Sequence, residues 1–149
     1  MDTVTYPNEK VAEFISSSFV PWRIDYRRES RFLRKFNVVW TPTNLFVDRH
    51  ERVHHRLTGY LPPEVFLTYL EFARAKVAFG SHNYPLAAEL FDALSREYPD
   101  TPMAPESVYF RGVARQKATG DDLHLEEAAA DLARRYPESD YVLRAEPWL

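Results

Sequence analysis

Trp40-Thr41-Pro42-Thr43-Asn44-Leu45-Phe46-Val47-Asp48 sets a proline at the mouth of an apolar strand. Proline has no N–H for a sheet ladder, so it suits a strand's first residue or an edge, and the bond before it is a candidate for the cis form. Downstream, Asp48-Arg49-His50-Glu51-Arg52 reads as a polar turn and Val53 to Leu57 as a second strand, so the pair forms a hairpin. Upstream, Ser30 is placed to cap a short Arg-rich helix with Phe32, Leu33 and Phe36 on its apolar side, and Asn37 suits the left-handed position after it. Further out, residues 19–25 read as a strand weakened by Pro21, and Asn8 is placed to cap a helix through residue 18 with Val11, Phe14 and Ile15 on one face. Beyond the hairpin, Pro62 and Pro63 pre-set the first turn of a helix whose stripe is Phe66, Tyr69, Leu70, Ala73 and Val77, running to residue 79.

Composition narrows the function classes. With 149 residues and 45% apolar content, the chain is long enough to bury a core as one ordinary domain or two small ones. No apolar run nears the roughly 20 residues that span a bilayer, and the polar start lacks a signal peptide's pattern, which predicts a soluble, cytoplasmic protein. The complete lack of cysteine excludes disulfides, thiol catalysis and thiolate metal sites. Charge is uneven. Residues 1–62 carry ten Lys/Arg against seven Asp/Glu, a net of +3, and residues 63–149 carry nine against fifteen, a net of −6. Arg27, Arg28, Arg31, Arg34 and Lys35 read as the solvated face of the short helix; with so small a basic excess, the balance argues against nucleic acid.

Helix, strand, helix, hairpin, helix, with Thr41-Pro42-Thr43 before the hairpin and Gly59-Tyr60 after it, resembles the second half of a thioredoxin domain over residues 1–79. The resemblance implies an α/β fold with a small mixed sheet, in which a cis-proline loop faces the redox centre. It also implies that Trp40, Thr41 and Pro42 form a peptide-binding loop, Thr41 offering backbone groups to an extended segment. In that family a strand and a Cys-x-x-Cys precede a segment similar to Met1-Asp2-Thr3-Val4-Thr5-Tyr6-Pro7, so the expected fold is N-terminally incomplete. An absent central strand would expose ladder groups on both its neighbours; the strands at residues 19–25 and at Pro42 then either meet as an antiparallel pair or recruit a second copy. A start upstream of Met1 is the other alternative, and would make the product a thiol-disulfide oxidoreductase.

A different period follows. Tyr84, Ala87, Phe91, Leu94 and Pro99, preceded by Ala75 and Ala78, stand at offsets similar to a tetratricopeptide repeat, and Tyr98-Pro99-Asp100-Thr101 recurs 38 residues on as Tyr136-Pro137-Glu138-Ser139. This predicts an α-helical, tetratricopeptide-like section over residues 80–149 sharing the helix at 63–79, with Gly112 and Ala114 at close helix contacts and Pro147-Trp148-Leu149 packing back as a cap. Tyr84, Tyr109 and Gln116 are the candidate groove residues.

Other chemistry finds little support. His50, His54 and His55 invite a metal, but neighbouring strand residues point to opposite faces, so His54 and His55 diverge and no metal is expected. Ser16-Ser17-Ser18 has neither a nucleophile elbow nor an oriented base, and no phosphate-cradling glycine loop or dinucleotide fingerprint occurs, so no cofactor is expected. The sequence therefore predicts a redox-inactive scaffold whose partner is a protein or peptide, with a homodimer through strand edges as one form of it.

Overall fold

Asn8 opens the first helix as its position predicts: its side-chain oxygen accepts from the Val11 N–H at 3.3 Å, and α1 (Glu9–Ser18) follows. The structure, a computed structural model, describes residues 1–25 and 27–149. They divide into two compact units, Met1–Leu70 and Glu71–Leu149, with the division falling inside one helix.

In the first unit α2 (Ser30–Lys35) is preceded by Glu29, not capped by Ser30, which lies inside the helix and accepts from Arg34 instead. Asn37 is left-handed, with φ at +48°, as the helix end requires. The hairpin consists of β1 (Thr43–Val47) and β2 (Val53–Thr58), registered from Thr43 opposite Thr58 to Phe46 opposite His55, with His54 of β2 bulged out before Val47 meets Val53. The sheet is thus two-stranded and antiparallel, not mixed.

The strand expected at residues 19–25 is absent. Phe19 has extended dihedrals, φ −138° and ψ 161°, but no ladder joins this stretch to β1 or β2. Extended backbone becomes a strand only by bonding a neighbour; here Pro21 withholds one donor, and among the described residues no strand pairs with this stretch. Neither does the stretch form the antiparallel pair with the Pro42 strand that was one of the expected outcomes.

The buried apolar residues of this unit are Val11, Phe46, Leu57, Phe66 and Leu70. Buried Thr5 donates to the Leu61 carbonyl at 2.7 Å, and the Tyr6 hydroxyl donates to Asn44 at 2.8 Å while its ring meets Phe66 edge-on. These bonds tie the first residues to the hairpin and to the start of α3 (Pro63–Gly80).

The second unit is helical. α4 (Tyr84–Glu97) is capped by Asn83, α5 (Met103–Thr119) ends on Gly120 at φ +80°, and α6 (Leu123–Arg135) leads to α7 (Asp140–Ala145) and a final 3-10 turn. The repeated Tyr-Pro marks equivalent helix ends. Tyr98 closes α4 at φ −127°, ψ 56° by donating to Leu94, and Tyr136 closes α6 at φ −136°, ψ 53° by donating to Leu132. Phe91 is fully buried between the rings of Phe72 and Phe110. Val108, Ala128, Ala129, Leu132 and Ala145 form a second cluster, against which Trp148 packs. Gly112 permits the closest approach: a Cβ there would lie 2.5 Å from the Ala128 Cβ and 2.8 Å from the His124 carbonyl oxygen.

Candidate functional site

The Thr41–Pro42 bond is cis. The carbonyl of Pro42 accepts from Gly59 at 2.8 Å, and the carbonyl of Trp40 accepts from the Thr43 hydroxyl at 2.7 Å. Because antiparallel pairs alternate, the bond at Pro42 and Gly59 places Asn44 with Leu57 and Phe46 with His55 on the bonded rungs. The N–H and C=O of Thr43, Leu45 and Val47 then point away from β2. Among the described residues nothing bonds these groups, nor the backbone of Thr41. The loop also carries two large apolar side chains in solvent, Val39 at 87% and Trp40 at 67% exposure.

The unladdered stretch at residues 19–25 has the same character. Val20 is 97% exposed and Trp22 61%, the latter meeting the Phe32 ring in a T-shaped contact at 4.8 Å. Phe19 meets Phe46 at 5.4 Å and Phe14 at 6.4 Å, which places this stretch on the Phe46 face of β1. On the opposite face Arg56, across from Leu45, donates to the carbonyls of Phe36 and Asn37 just beyond α2.

The hairpin turn is held by one carboxylate. Asp48 accepts from the backbone of His50 at 2.8 Å and of Arg52 at 3.0 Å, from the Arg52 side chain at 2.9 Å, and lies 3.1 Å from His54 Nε2. Burial alone would raise its pKa, but these donors outweigh it and hold the carboxyl well below the usual range. His54 turns to Asp48 while His55 lies beside Phe46, so adjacent imidazoles diverge. Among the described residues no group of three or more potential metal ligands converges.

In the helical unit each of the three groove candidates has contacts of its own. Tyr84 bonds His82 at 2.7 Å and packs edge-on against Phe79, Tyr109 touches Phe110, Tyr141 and Trp148, and Gln116 donates to Asp122 at 3.0 Å. Among the described residues no hydrogen bond or ring contact joins the three. What sequence reading missed is an ion network. Arg111 of α5 bridges Asp92 of α4 at 3.2 Å and Asp131 of α6 at 3.1 Å, Arg115 reaches Asp92 at 3.6 Å, and Arg135 bonds both Asp131 and the Ser95 carbonyl. Burial works to raise the Asp131 pKa, but bonds from Arg134 and Arg135 and the charge of Arg111 bring it below the ordinary value. Arg115 departs from the aromatic that the expected tetratricopeptide-like pattern calls for, and that departure was the available signal. Nearby, the Lys76 ammonium lies 3.7 Å from the Phe110 ring centre and 3.1 Å from Glu106.

The hairpin opening on a cis-proline and the helix after it stand in the order expected of one fold family. Residues 1–74 match the family model of the thioredoxin-like domain. No curated protein and no solved structure shows significant similarity to the chain. The matched residues contain no cysteine, and neither does the remainder of the chain. Among the described residues no helix is long and apolar enough to cross a membrane.

Proposed function

We propose that this chain is a redox-inactive protein-interaction scaffold. Disulfide exchange requires an attacking thiolate, and a sequence without cysteine supplies none, so its thioredoxin-like domain acts by binding. The observation that carries the reading is the cis-proline loop. Thr41 offers an unbonded N–H and C=O beside exposed Val39 and Trp40, a combination of backbone valence and apolar surface suited to an extended peptide. The helical unit, with its recurring Tyr-Pro helix ends, is read as a tetratricopeptide-like second surface offering Tyr84, Tyr109 and Gln116.

Panning a random peptide display library against the purified chain tests this. Enriched peptides should compete with one another and bind Trp40→Ala at least tenfold more weakly. A failure to enrich, or binding indifferent to Trp40→Ala, rejects the loop as the site. Insulin reduction should stay at the uncatalysed rate, and turnover above it rejects the redox-inactive assignment.

A further inference from the structure

Two carboxylates gather five arginines where α4, α5 and α6 meet. Asp92 pairs with Arg96 at 3.3 Å, Arg111 at 3.2 Å and Arg115 at 3.6 Å. Asp131 pairs with the same Arg111 at 3.1 Å, with Arg134 at 2.7 Å and with Arg135 at 3.1 Å. Among the described residues no further carboxylate pairs with any of the five, so two negative charges stand against five positive ones and three are left over. Composition runs the other way: residues 71–149 hold nine Lys/Arg against fourteen Asp/Glu, a net of −5. The positive excess is therefore made locally, by folding, inside an acidic unit. We propose that this face docks a short, carboxylate-rich segment of another protein, received by Arg96, Arg115 and Arg134.

The five arginines divide into two kinds. Arg111, 13% exposed, is committed to both aspartates, and Arg135 to Asp131, the Ser95 carbonyl and the Tyr136 hydroxyl. Arg96 and Arg134 stand at the two ends of the network, 71% and 77% exposed, and Arg115 is the longest pair in it. A guanidinium carries five N–H donors in a planar fork, so an exposed one that meets a single aspartate keeps donors for a second acid. The spread of these three groups selects the occupant. They belong to three helices, and neighbouring helix axes lie about 8–10 Å apart. A lone phosphoryl group would meet the arginines of one aspartate only. A nucleic-acid backbone, charged along its whole length, would run on over the acidic remainder of the unit. An extended segment of about six to eight residues, at about 3.3 Å each, crosses all three helices and ends there. Its acidic side chains complement the excess, as in other acidic motifs read by arginine clusters. The proposal rests on the reading of the chain as a protein-interaction scaffold, and adds a surface away from the cis-proline loop together with its chemistry.

The probe is a fluorescein-labelled, amidated octapeptide alternating glutamate with glycine, titrated with the full chain and read by anisotropy. It should bind at low salt and weaken at least tenfold as salt is raised, and the same peptide with glutamine for glutamate should not bind. Arg96→Gln with Arg134→Gln should weaken binding at least tenfold, because it removes the exposed ends and leaves the Arg111 bridge in place. Arg28→Gln with Arg31→Gln, on α2 and the loop before it, should leave binding unchanged. Should the first variant fail to fold, NMR on the unaltered chain decides: the Nε–H signals of Arg96, Arg115 and Arg134 should shift with the peptide, and those of Arg28 and Arg31 should not. No binding at low salt, or binding lost with Arg28 and Arg31 instead, overturns the surface. Inorganic phosphate or single-stranded DNA that displaces the peptide at equal charge concentration overturns the choice of a carboxylate segment. So does a dimer in light scattering that the Arg96 and Arg134 changes break, because the occupant is then a second copy. An acidic peptide that fails while peptides dependent on Trp40 still bind sinks this inference and keeps the scaffold reading.

Discussion

Between Tyr84 and Arg135 the backbone closes its hydrogen bonds inside each helix, whereas the hairpin of Met1–Leu70 closes only half of its own. The side chains follow suit. Phe91 has no exposed surface and three helices' worth of packing, while Val20, Trp22, Val39 and Trp40 of the other unit stand in water. A helix satisfies its polar backbone from within four residues, so it needs neighbours only for its apolar stripe; a strand needs a neighbour for both. That contrast is why the candidate site lies in the sheet-bearing unit.

The largest test of the contrast sets Phe91→Ala against Phe46→Ala. The first should cost about 3–5 kcal/mol by urea titration followed by helical circular dichroism, since a fully buried ring leaves a cavity. Phe46, 8% exposed beside the open edge, should cost less, and an equal or larger loss there would show the hairpin side to be the better packed. Next, Gly112→Ala should lower stability by about 1–3 kcal/mol through overpacking, because the added Cβ meets the backbone oxygen of His124, which has little freedom to yield. An unchanged melting curve would mean that α5 and α6 slide apart easily. Smaller again, Asn83→Ala should remove about 1 kcal/mol with the cap of α4, read by the same titration.

The most local effect concerns Asp48. Its folded pKa lies below the ordinary value of 3.8, so its contribution is present above that value and is lost as pH falls through the depressed one. The protection of the His50 and Arg52 amides, relative to their intrinsic exchange at each pH, should therefore fall in acid before the helical signal changes. Asp48→Asn should show the lower protection already at neutral pH and lose its acid dependence. Hairpin and helices responding together at one pH would contradict the separation of the two units.

Much of this organisation is written in short-range pattern. Asn8, Asn37, Asn83 and Gly120 mark helix ends because capping and left-handed geometry depend on a few adjacent residues. The hairpin from Thr43 to Thr58 was legible for the same reason, in an apolar run, a polar turn and a second run. Residues 19–25 show where such reading stops: their composition favours a strand, and among the described residues no ladder partner makes them one. The network of Asp92, Arg111, Asp131 and Arg135 was equally hidden, because it joins three helices across 19 and 20 residues of sequence.

The sequence by itself determined the helix ends, the cis-proline hairpin's position and the absence of a thiol, since each depends on residue identity and near neighbours. Tertiary structure alone decided which extended stretches became a sheet, which backbone groups stayed unbonded and which charges met. Those outcomes depend on distances between segments far apart in the chain, and hydrogen bonds and ion pairs act only over a few ångströms.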